Sequence, residues 1–447
     1  MRLTLLPLAA ALLSASALAA PPSGLGYDIV EGLTTEVGQR LAGTEAEARA
    51  RDWAVARLKS LGFANVHVEP FDMPVWIRGT ESAELVSPFP QKLVLAALGN
   101  SGATPDQGLT AEVVGFPSLE ALKAAPDAQV KGKIVFVWHR MMPTQDGSSY
   151  GTYGLIRFGG AAIASKKGAA AMLIRSIGTD HHRVAHTGVT DWLGGARPIP
   201  AAALTVPDAE QLERVLSRGK PVTLHLTLTP RMAGTHQSGN VIAEVPGTDP
   251  SAGIVLIGGH LDSWDLGTGA IDDGAGVAIT TAAAKSILDG PRPKRTVRLV
   301  WFGAEEPGGF GGAAYAKAHA GEKHAFAAEA DFGGGKVWAF SASFAQPKSA
   351  LRDELAARLG LIGVEPKEGA AHGGTDVGPM VQKGVPVVDL EQDGTRYFDI
   401  HHTADDTLDK IDPAQLAQAI EAWSIMLRTV VDTSDPLAPL PPRQDEE

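Results

Sequence analysis

The chain changes character after Gly239, where apolar strand-like segments alternate with segments of helical periodicity, and this alternation restricts the fold more than any other feature. The strand-like segments are residues 240–245, 253–257 and 296–302, and the helical segments are residues 276–288, 348–359 and 413–431. Strands that alternate with helices indicate a mostly parallel mixed sheet with helices on both faces. We therefore expect an α/β domain in this part of the chain.

The earlier part of the chain begins with a helix signal and continues with β-rich segments. Thr44 and Glu47 form a capping-box pattern, and Gly62 stands where the helix would end, which predicts a helix over about residues 45–61. Strand-like segments follow at residues 92–98, 133–138, 170–174 and 222–228, with a helical stretch near residues 208–216. This region reads as a separate, β-rich module.

These patterns divide the chain into a domain, an insert and a tail. We interpret residues 20–85 and 237–433 as one discontinuous α/β domain, and residues 86–236 as a β-rich module inserted into it. Residues 434–447 contain four prolines and end in acidic side chains, so we expect a disordered tail.

The first 19 residues have the pattern of a secretory signal peptide. Arg2 supplies a positive start, residues 3–13 form an apolar run, and Ala17 and Ala19 form a small-residue cleavage pattern. We favour a signal over a membrane anchor because the apolar run is short for a span of ~20 residues. We expect export to the periplasm or the extracellular space and no membrane span in the mature chain.

Charge and cysteine content exclude several classes of function. The chain carries 39 Lys and Arg against 51 Asp and Glu, a net charge of −12, without a basic block. This pattern argues against nucleic acid or an anionic membrane as the main partner. The absence of cysteine excludes disulfides, thiolate nucleophiles and cysteine-ligated metals. Any metal must therefore be bound by nitrogen and oxygen.

Carboxylates and imidazoles follow four of the predicted strands at the point where each strand ends. They are His260, Asp262, Asp272 and Asp273 after residues 253–257, Glu305 and Glu306 after 296–302, Asp331 after 325–330, and His401 and His402 after 385–390. Ligands of open α/β sheets bind beyond the carboxyl ends of the strands. Each pair alone is typical of a solvated loop or a helix N-terminus, but adjacent carboxylates at one site repel each other and require a cation. The sequence therefore predicts a metal site.

Five motifs carry a resemblance to a known family. They are GGHLDSWD at 258–265, DDGAG at 272–276, AEEPGGFGG at 304–312, EAD at 329–331 and HHTADDT at 401–407. This set resembles that of the dizinc exopeptidase family, which includes co-catalytic zinc aminopeptidases and enzymes of the plasma glutamate carboxypeptidase type. Within the predicted insert, KGKIVFV at 131–137 and KKGAAAMLI at 166–174 resemble a protease-associated domain. The resemblance also implies a homodimer.

The resemblance implies a role for each motif residue. His260 and Asp331 would bind one Zn²⁺, Glu306 and His402 would bind a second, and Asp272 would bridge both. Asp262 would orient the imidazole of His260, and Glu305 would be the general base. His402 is preferred to His401 because it matches the family's motif and because neighbouring side chains point apart in an extended segment. The resemblance also implies a strained, often cis, peptide between Asp272 and Asp273.

The implied function is hydrolysis of dipeptides or short peptides by a secreted enzyme with two Zn²⁺ ions per chain. The alternatives are an aminopeptidase of the same family, a glutaminyl-cyclase-like acyltransferase with one zinc, and a receptor-like protein that has lost its ligands. All five ligand positions are filled here, which favours the two-zinc hydrolase. The sequence leaves open which end of the peptide is recognised, the native metal, and the roles of His372, Arg396 and the insert.

Overall fold

The computed structural model of the protein describes residues 23–442. The predicted signal peptide, residues 1–19, and the last residues of the predicted tail lie outside this range. The helices are α1 (Ser23–Gly32), α2 (Glu45–Ser60), α3 (Leu119–Ala124), α4 (Asp127–Val130), α5 (Ser148–Lys166), α6 (Val206–Leu216), α7 (Ala275–Leu288), α8 (Phe310–Ala318), α9 (Ala350–Gly360), α10 (Gly378–Gln382) and α11 (Pro413–Asp432).

The strands form two sheets. They are β1 (Ala64–Ile77), β2 (Glu81–Ser87), β3 (Gln91–Leu93), β4 (Leu95–Ala97), β5 (Leu109–Phe116), β6 (Ile134–Val137), β7 (Ala171–Arg175), β8 (Ala201–Leu204), β9 (Thr223–Leu228), β10 (Arg231–Val245), β11 (Ile254–His260), β12 (Thr296–Phe302), β13 (His324–Glu329), β14 (Val337–Ser343), β15 (Glu365–Pro366) and β16 (Val387–Gln392). The predicted mixed α/β fold is confirmed.

The first sheet has the order β1-β10-β12-β11-β13-β16-β14-β15 within the described residues. Its centre, β12-β11-β13-β16, is parallel throughout, whereas β10 and β14 run antiparallel to their neighbours β12 and β16. The carboxyl ends of the four central strands therefore meet at one edge of the sheet.

Helices cover both faces of this sheet because successive side chains of its strands alternate between two cores. Leu299 and Trp301 of β12 belong to a core shared with α1, α7 and α11. Val300 and Phe302 face the other way and pack with Tyr315 of α8 and with residues of α10. This alternation is the reason that β12 is apolar at every position from Leu299 to Phe302.

The second sheet has the order β3-β2-β9-β5-β6-β7-β8-β4. All of its described strands come from one stretch of chain, residues 81–228, and α6 packs against it through Leu212 and Val215. We call residues 81–228 the second unit. The interpretation of residues 86–236 as a protease-associated domain stays a prediction.

The beginning of the predicted tail packs on the α/β domain that contains the first sheet. The Leu440 N–H donates to the carbonyl of Gly384 at 2.7 Å, and the Asp435 carboxylate accepts from the Leu351 N–H at 2.8 Å. Leu437 also packs against the main core. The expectation of disorder from residue 434 is therefore wrong for residues 435–440, because backbone hydrogen bonds and an apolar contact attach them to the domain.

The predicted helix over residues 45–61 is confirmed as α2. The Thr44 hydroxyl accepts from the Glu47 N–H at 3.4 Å, and the Glu47 carboxylate accepts from the Gly43 N–H at 3.0 Å. Gly62 follows the helix with φ +88°, a conformation that favours glycine. We expect Thr44→Ala to lower the free energy of unfolding by about 1 kcal/mol, measured by urea titration, because two N-terminal hydrogen bonds of the hydroxyl are lost.

The matched control is Thr44→Ser, which keeps the hydroxyl and should keep most of the stability. Equal urea midpoints for the alanine and serine variants would contradict the capping role of Thr44.

Candidate active site

The parallel strand ends deliver the predicted site residues to one edge of the first sheet. His260 is the last residue of β11, Glu306 follows β12, and Asp331 follows β13. His402 follows β16, and Asp272 lies in the loop between β11 and α7. Residues separated by about 140 positions in sequence therefore come together because their strands are neighbours and parallel.

Asp272 lies at the centre of the cluster. Its Oδ1 lies 3.1 Å from Nε2 of His260, and its Oδ2 lies 3.1 Å from Nε2 of His402. Asp331 Oδ1 lies 3.3 Å from the same nitrogen of His260, and Glu306 Oε2 lies 3.0 Å from the same nitrogen of His402. The five side chains thus form two adjacent groups that share one carboxylate.

The donor set fits metal ions. Asp272 and Glu306 are only 4% and 6% exposed, and Glu306 Oε1 makes no hydrogen bond to any described residue. A buried carboxylate oxygen without a partner is costly unless a cation compensates it. Three overlapping groups of ligand atoms, each including Asp272 or His260, lie close enough to hold an ion. Imidazole nitrogens with carboxylate oxygens are a donor set typical of catalytic zinc.

The Asp262 carboxylate connects two strand ends. It accepts the backbone N–H groups of Glu305 at 3.0 Å and of Glu306 at 3.3 Å. Nδ1 of His260 lies closer to the carbonyl oxygen of Asp262, at 2.9 Å, than to its carboxylate, at 3.6 Å. The backbone of Asp262 therefore contributes to orienting His260, and its carboxylate mainly positions the Glu305–Glu306 loop.

His401 and His402 do not point apart. Their rings stack with centroids 3.6 Å apart, and Nε2 of His401 lies 3.5 Å from Asp272 Oδ2. The segment is a turn in which His402 has φ +62°, so the argument from an extended segment is wrong. The two rings share one side of the chain, and the preference for His402 depends on its additional contact with Glu306.

Two buried charged residues of the site were not singled out by the sequence. The guanidinium of Arg40 donates to the carbonyls of Leu261, Thr268 and Gly269 at 2.7, 2.6 and 3.0 Å. The Asp406 carboxylate accepts the N–H groups of residues 270 and 271 at 2.8 and 2.7 Å. Together they hold the loop that carries Asp272. Asp406 lies in a motif quoted above, whereas nothing in the local sequence marks Arg40.

The other candidates lie at the periphery. His372 is exposed and its backbone N–H donates to Asp389 at 2.6 Å, while the Arg396 side chain is 85% exposed and pairs with Asp399. A cavity of about 390 Å³ includes Arg396 and also Ile271 and Phe332, the neighbours of Asp272 and Asp331 in sequence.

The Asp272–Asp273 peptide bond is cis, as the resemblance implied.

Comparison with known proteins identifies the family. Residues 240–426 match the sequence profile of peptidase family M28. The chain is 36% identical to carboxypeptidase Q of Bos taurus over 415 residues, which cover 92% of this chain and 86% of that protein. The chain belongs to peptidase family M28. The exopeptidase family and the enzyme class expected from the motifs are thereby confirmed.

Solved structures agree with this membership. A crystal structure of a peptidase M28 precursor from Shewanella amazonensis SB2B is 48% identical, with a TM-score of 0.91 over 95% of this chain and 97% of that chain. A zinc aminopeptidase from Bacillus subtilis is 21% identical, with a TM-score of 0.68 over 95% of this chain and 98% of that chain, and shows the same fold. No helix within residues 23–442 is long and apolar enough to cross a membrane.

A metal ion that enters this cluster has to displace protons. Burial, together with Asp272, raises the pKa of Glu306 to about 7. Burial opposes the charged form of His402, but Glu306 and Asp272 raise its pKa to about 9. In the metal-free protein at neutral pH, His402 is therefore protonated and Glu306 is protonated in about half of the molecules, so zinc affinity should fall as the pH decreases below about 9 and more steeply below about 7.

Titration calorimetry in buffers of different ionisation enthalpy counts the released protons. We expect net proton release when zinc binds near pH 7. Binding without proton release, at an affinity independent of pH, would contradict this description of the metal-free cluster.

Proposed function

We propose that the protein is a zinc-dependent exopeptidase that hydrolyses dipeptides or short peptides, with an activity like that of carboxypeptidase Q. The observation that carries the proposal is the position of Asp272, whose two oxygens face the imidazoles of His260 and His402 separately. A carboxylate in this position can bridge two cations, and paired cations about 3.5–4 Å apart are typical of hydrolases that activate water.

The proposed ligands divide into two sets. His260 and Asp331 would hold one Zn²⁺, Glu306 and His402 would hold the other, and Asp272 would be shared between them. When bound, the pair supplies Lewis acidity, which polarises the scissile carbonyl and makes water acidic enough to attack near neutral pH. The carboxylates of the cluster offset most of the added positive charge, which allows the site to remain largely buried.

Glu305 is the proposed general base. In the metal-free protein, burial, together with the negative charges of Asp331 and Glu306, raises the pKa of Glu305 well above the ordinary range. Bound cations would favour the ionised form of this carboxylate, which can then accept the proton of the attacking water and pass it to the leaving amine. Asp262 holds the backbone N–H of Glu305 at 3.0 Å and thus limits where this carboxylate can move.

The proposal also covers export, the inserted domain and the oligomeric state. Residues 1–19 act as an export signal, residues 86–236 form a protease-associated domain, and two copies of the chain form a homodimer. Support for them comes from the sequence patterns described above. The similarity to carboxypeptidase Q favours cleavage at the carboxyl end of the peptide over cleavage at its amino end.

We expect Glu305→Gln to bind zinc as the unchanged protein does and to lose about 10²–10⁴-fold in kcat, because an amide cannot accept the proton of water. The measurement is dipeptide hydrolysis alongside zinc content by elemental analysis. The matched control is Glu354→Gln on α9, whose carboxylate is exposed and pairs with Arg358. Full hydrolysis by the Glu305 variant with zinc present would remove Glu305 from the mechanism.

A panel of free, amino-blocked and carboxyl-blocked dipeptides, assayed with and without a chelator, tests the reaction itself. We expect hydrolysis of free dipeptides, loss of activity with the chelator and recovery on adding zinc. Preferential loss on blocking the carboxyl end supports the carboxypeptidase form. Cyclisation of N-terminal glutamine with one zinc per chain, or no zinc affinity at all, would overturn the proposal.

A further inference from the structure

The turn that carries His401 and His402 is held by the second unit. The N–H of Thr179 donates to the carbonyl of Phe398 at 3.0 Å, and the N–H of Thr187 donates to the carbonyl of His402 at 3.0 Å. Nδ1 of His186 lies 2.7 Å from the carbonyl oxygen of His401. Three carbonyls of residues 398–402 thus find their partners in residues 179–187. We call Arg157, Thr179, His186 and Thr187 the clasp.

The clasp also orients the ring of His402. Nδ1 of this ring lies 3.2 Å from the carbonyl oxygen of Thr187, an atom that can only accept a hydrogen bond. A hydrogen on Nδ1 leaves the lone pair on Nε2, the nitrogen that lies 3.0 Å from Glu306 and 3.1 Å from Asp272. A hydrogen bond on one ring nitrogen that fixes the other as a ligand is the usual way in which proteins orient metal-binding histidines.

Arg157 of α5 supports the carbonyl that accepts from this ring. Its Nη1 donates to the carbonyl oxygen of Thr187 at 3.4 Å; it also lies 3.2 Å from Nδ1 of His402, to which it cannot donate while Nδ1 carries a hydrogen. The side chain is nearly fully buried, and its guanidinium lies 4.5 Å over the ring of Phe158. A Cβ at Gly188 would lie 2.3 Å from Nη1, so only glycine fits beside this guanidinium. The packing therefore leaves Arg157 little freedom to move.

His186 is held in place from its other side. Its Nε2 lies 2.8 Å from the carboxylate of Asp180, and both side chains are buried. The sequence offers no motif that predicts this pair as part of a metal centre. Nδ1 of His186 nevertheless donates to the carbonyl of His401, the peptide group directly before His402.

We propose that the clasp is a positioning element of the metal centre, through which the second unit holds His402 in the orientation that binds the ion shared with Glu306 and Asp272. This inference rests on the proposed function, because it assumes that His402 is a ligand. His186 and Arg157 are positioning residues, since they act through the turn and the ring. An ion held by His260 and Asp331 would not depend on the clasp.

The test compares two variants of His186, one that keeps a side-chain hydrogen-bond donor and one that has none. In His186→Asn the amide nitrogen stands close to the place of Nδ1 and can still donate to the carbonyl of His401, whereas His186→Ala has no donor. Both remove the contact of His186 with Asp180, whose carboxylate still accepts the N–H of His182 at 2.7 Å. We expect His186→Ala to weaken one of two zinc sites about 10–100-fold, leaving the other unchanged, and His186→Asn to restore most of that affinity.

The measurement is competition between the metal-free, full-length protein and a chromophoric zinc chelator, fitted with two sites. His182→Ala is the control, because His182 is exposed in the same segment and its hydrogen bond to Asp180 comes from the backbone, which alanine keeps. The melting temperature of each metal-free variant is recorded as well. Arg157→Met is the second variant, with the same expected loss at one site, and it keeps the test decisive if His186→Ala does not fold.

Unchanged zinc affinity at both sites in His186→Ala and Arg157→Met would overturn the inference. Equal weakening of both sites, with a lowered melting temperature of the metal-free protein, would also overturn it, because that result indicates a general structural role. Failure of the proposed function looks different: the unchanged protein would then bind no zinc pair and hydrolyse no dipeptide.

Discussion

Carboxylates buried together at one edge of a sheet impose the constraint on which the rest of this structure depends. Such groups lose their hydration and repel one another, so they are stable only when protons or cations lie between them. Asp272 stands between two imidazoles, and an oxygen of Glu306 is buried without a hydrogen-bond partner among the described residues. The chemistry of the site follows from how this cost is compensated.

The surrounding structure holds the cluster through backbone contacts of charged side chains. Loops at the ends of parallel strands have no ladder partners, so their N–H and C=O groups need other partners. Arg40 provides donors and Asp406 an acceptor for the loop before Asp272, and Asp262 provides an acceptor for the segment of Glu305 and Glu306. Each of these residues fixes the position of a neighbouring site residue. The metal centre thus rests on hydrogen bonds that are distant in sequence.

The sequence predicts those elements whose signals are local. α2 follows from its capping pattern, and β11 and β12 follow from their apolar runs. The long helix α5 was missed because it contains four glycines and several aromatic and hydroxyl side chains, which are poor helix signals. It forms because Ile156, Arg157 and its small residues pack against the rest of the second unit and the turn at His402. Tertiary contacts therefore outweigh propensity in this element.

The amino-acid sequence by itself determined the α/β class, the residues of the candidate cluster and the family, because periodicity and motif residues are properties of short segments. Only the tertiary structure decided that Asp272 faces both histidines, that His401 and His402 stack on one side of a turn, and that the second unit supports the turn. These relations join segments such as Thr187 and His402, which are 215 positions apart. The physical reason is that such hydrogen bonds depend on how strands and loops are placed in space, and no local pattern encodes that placement.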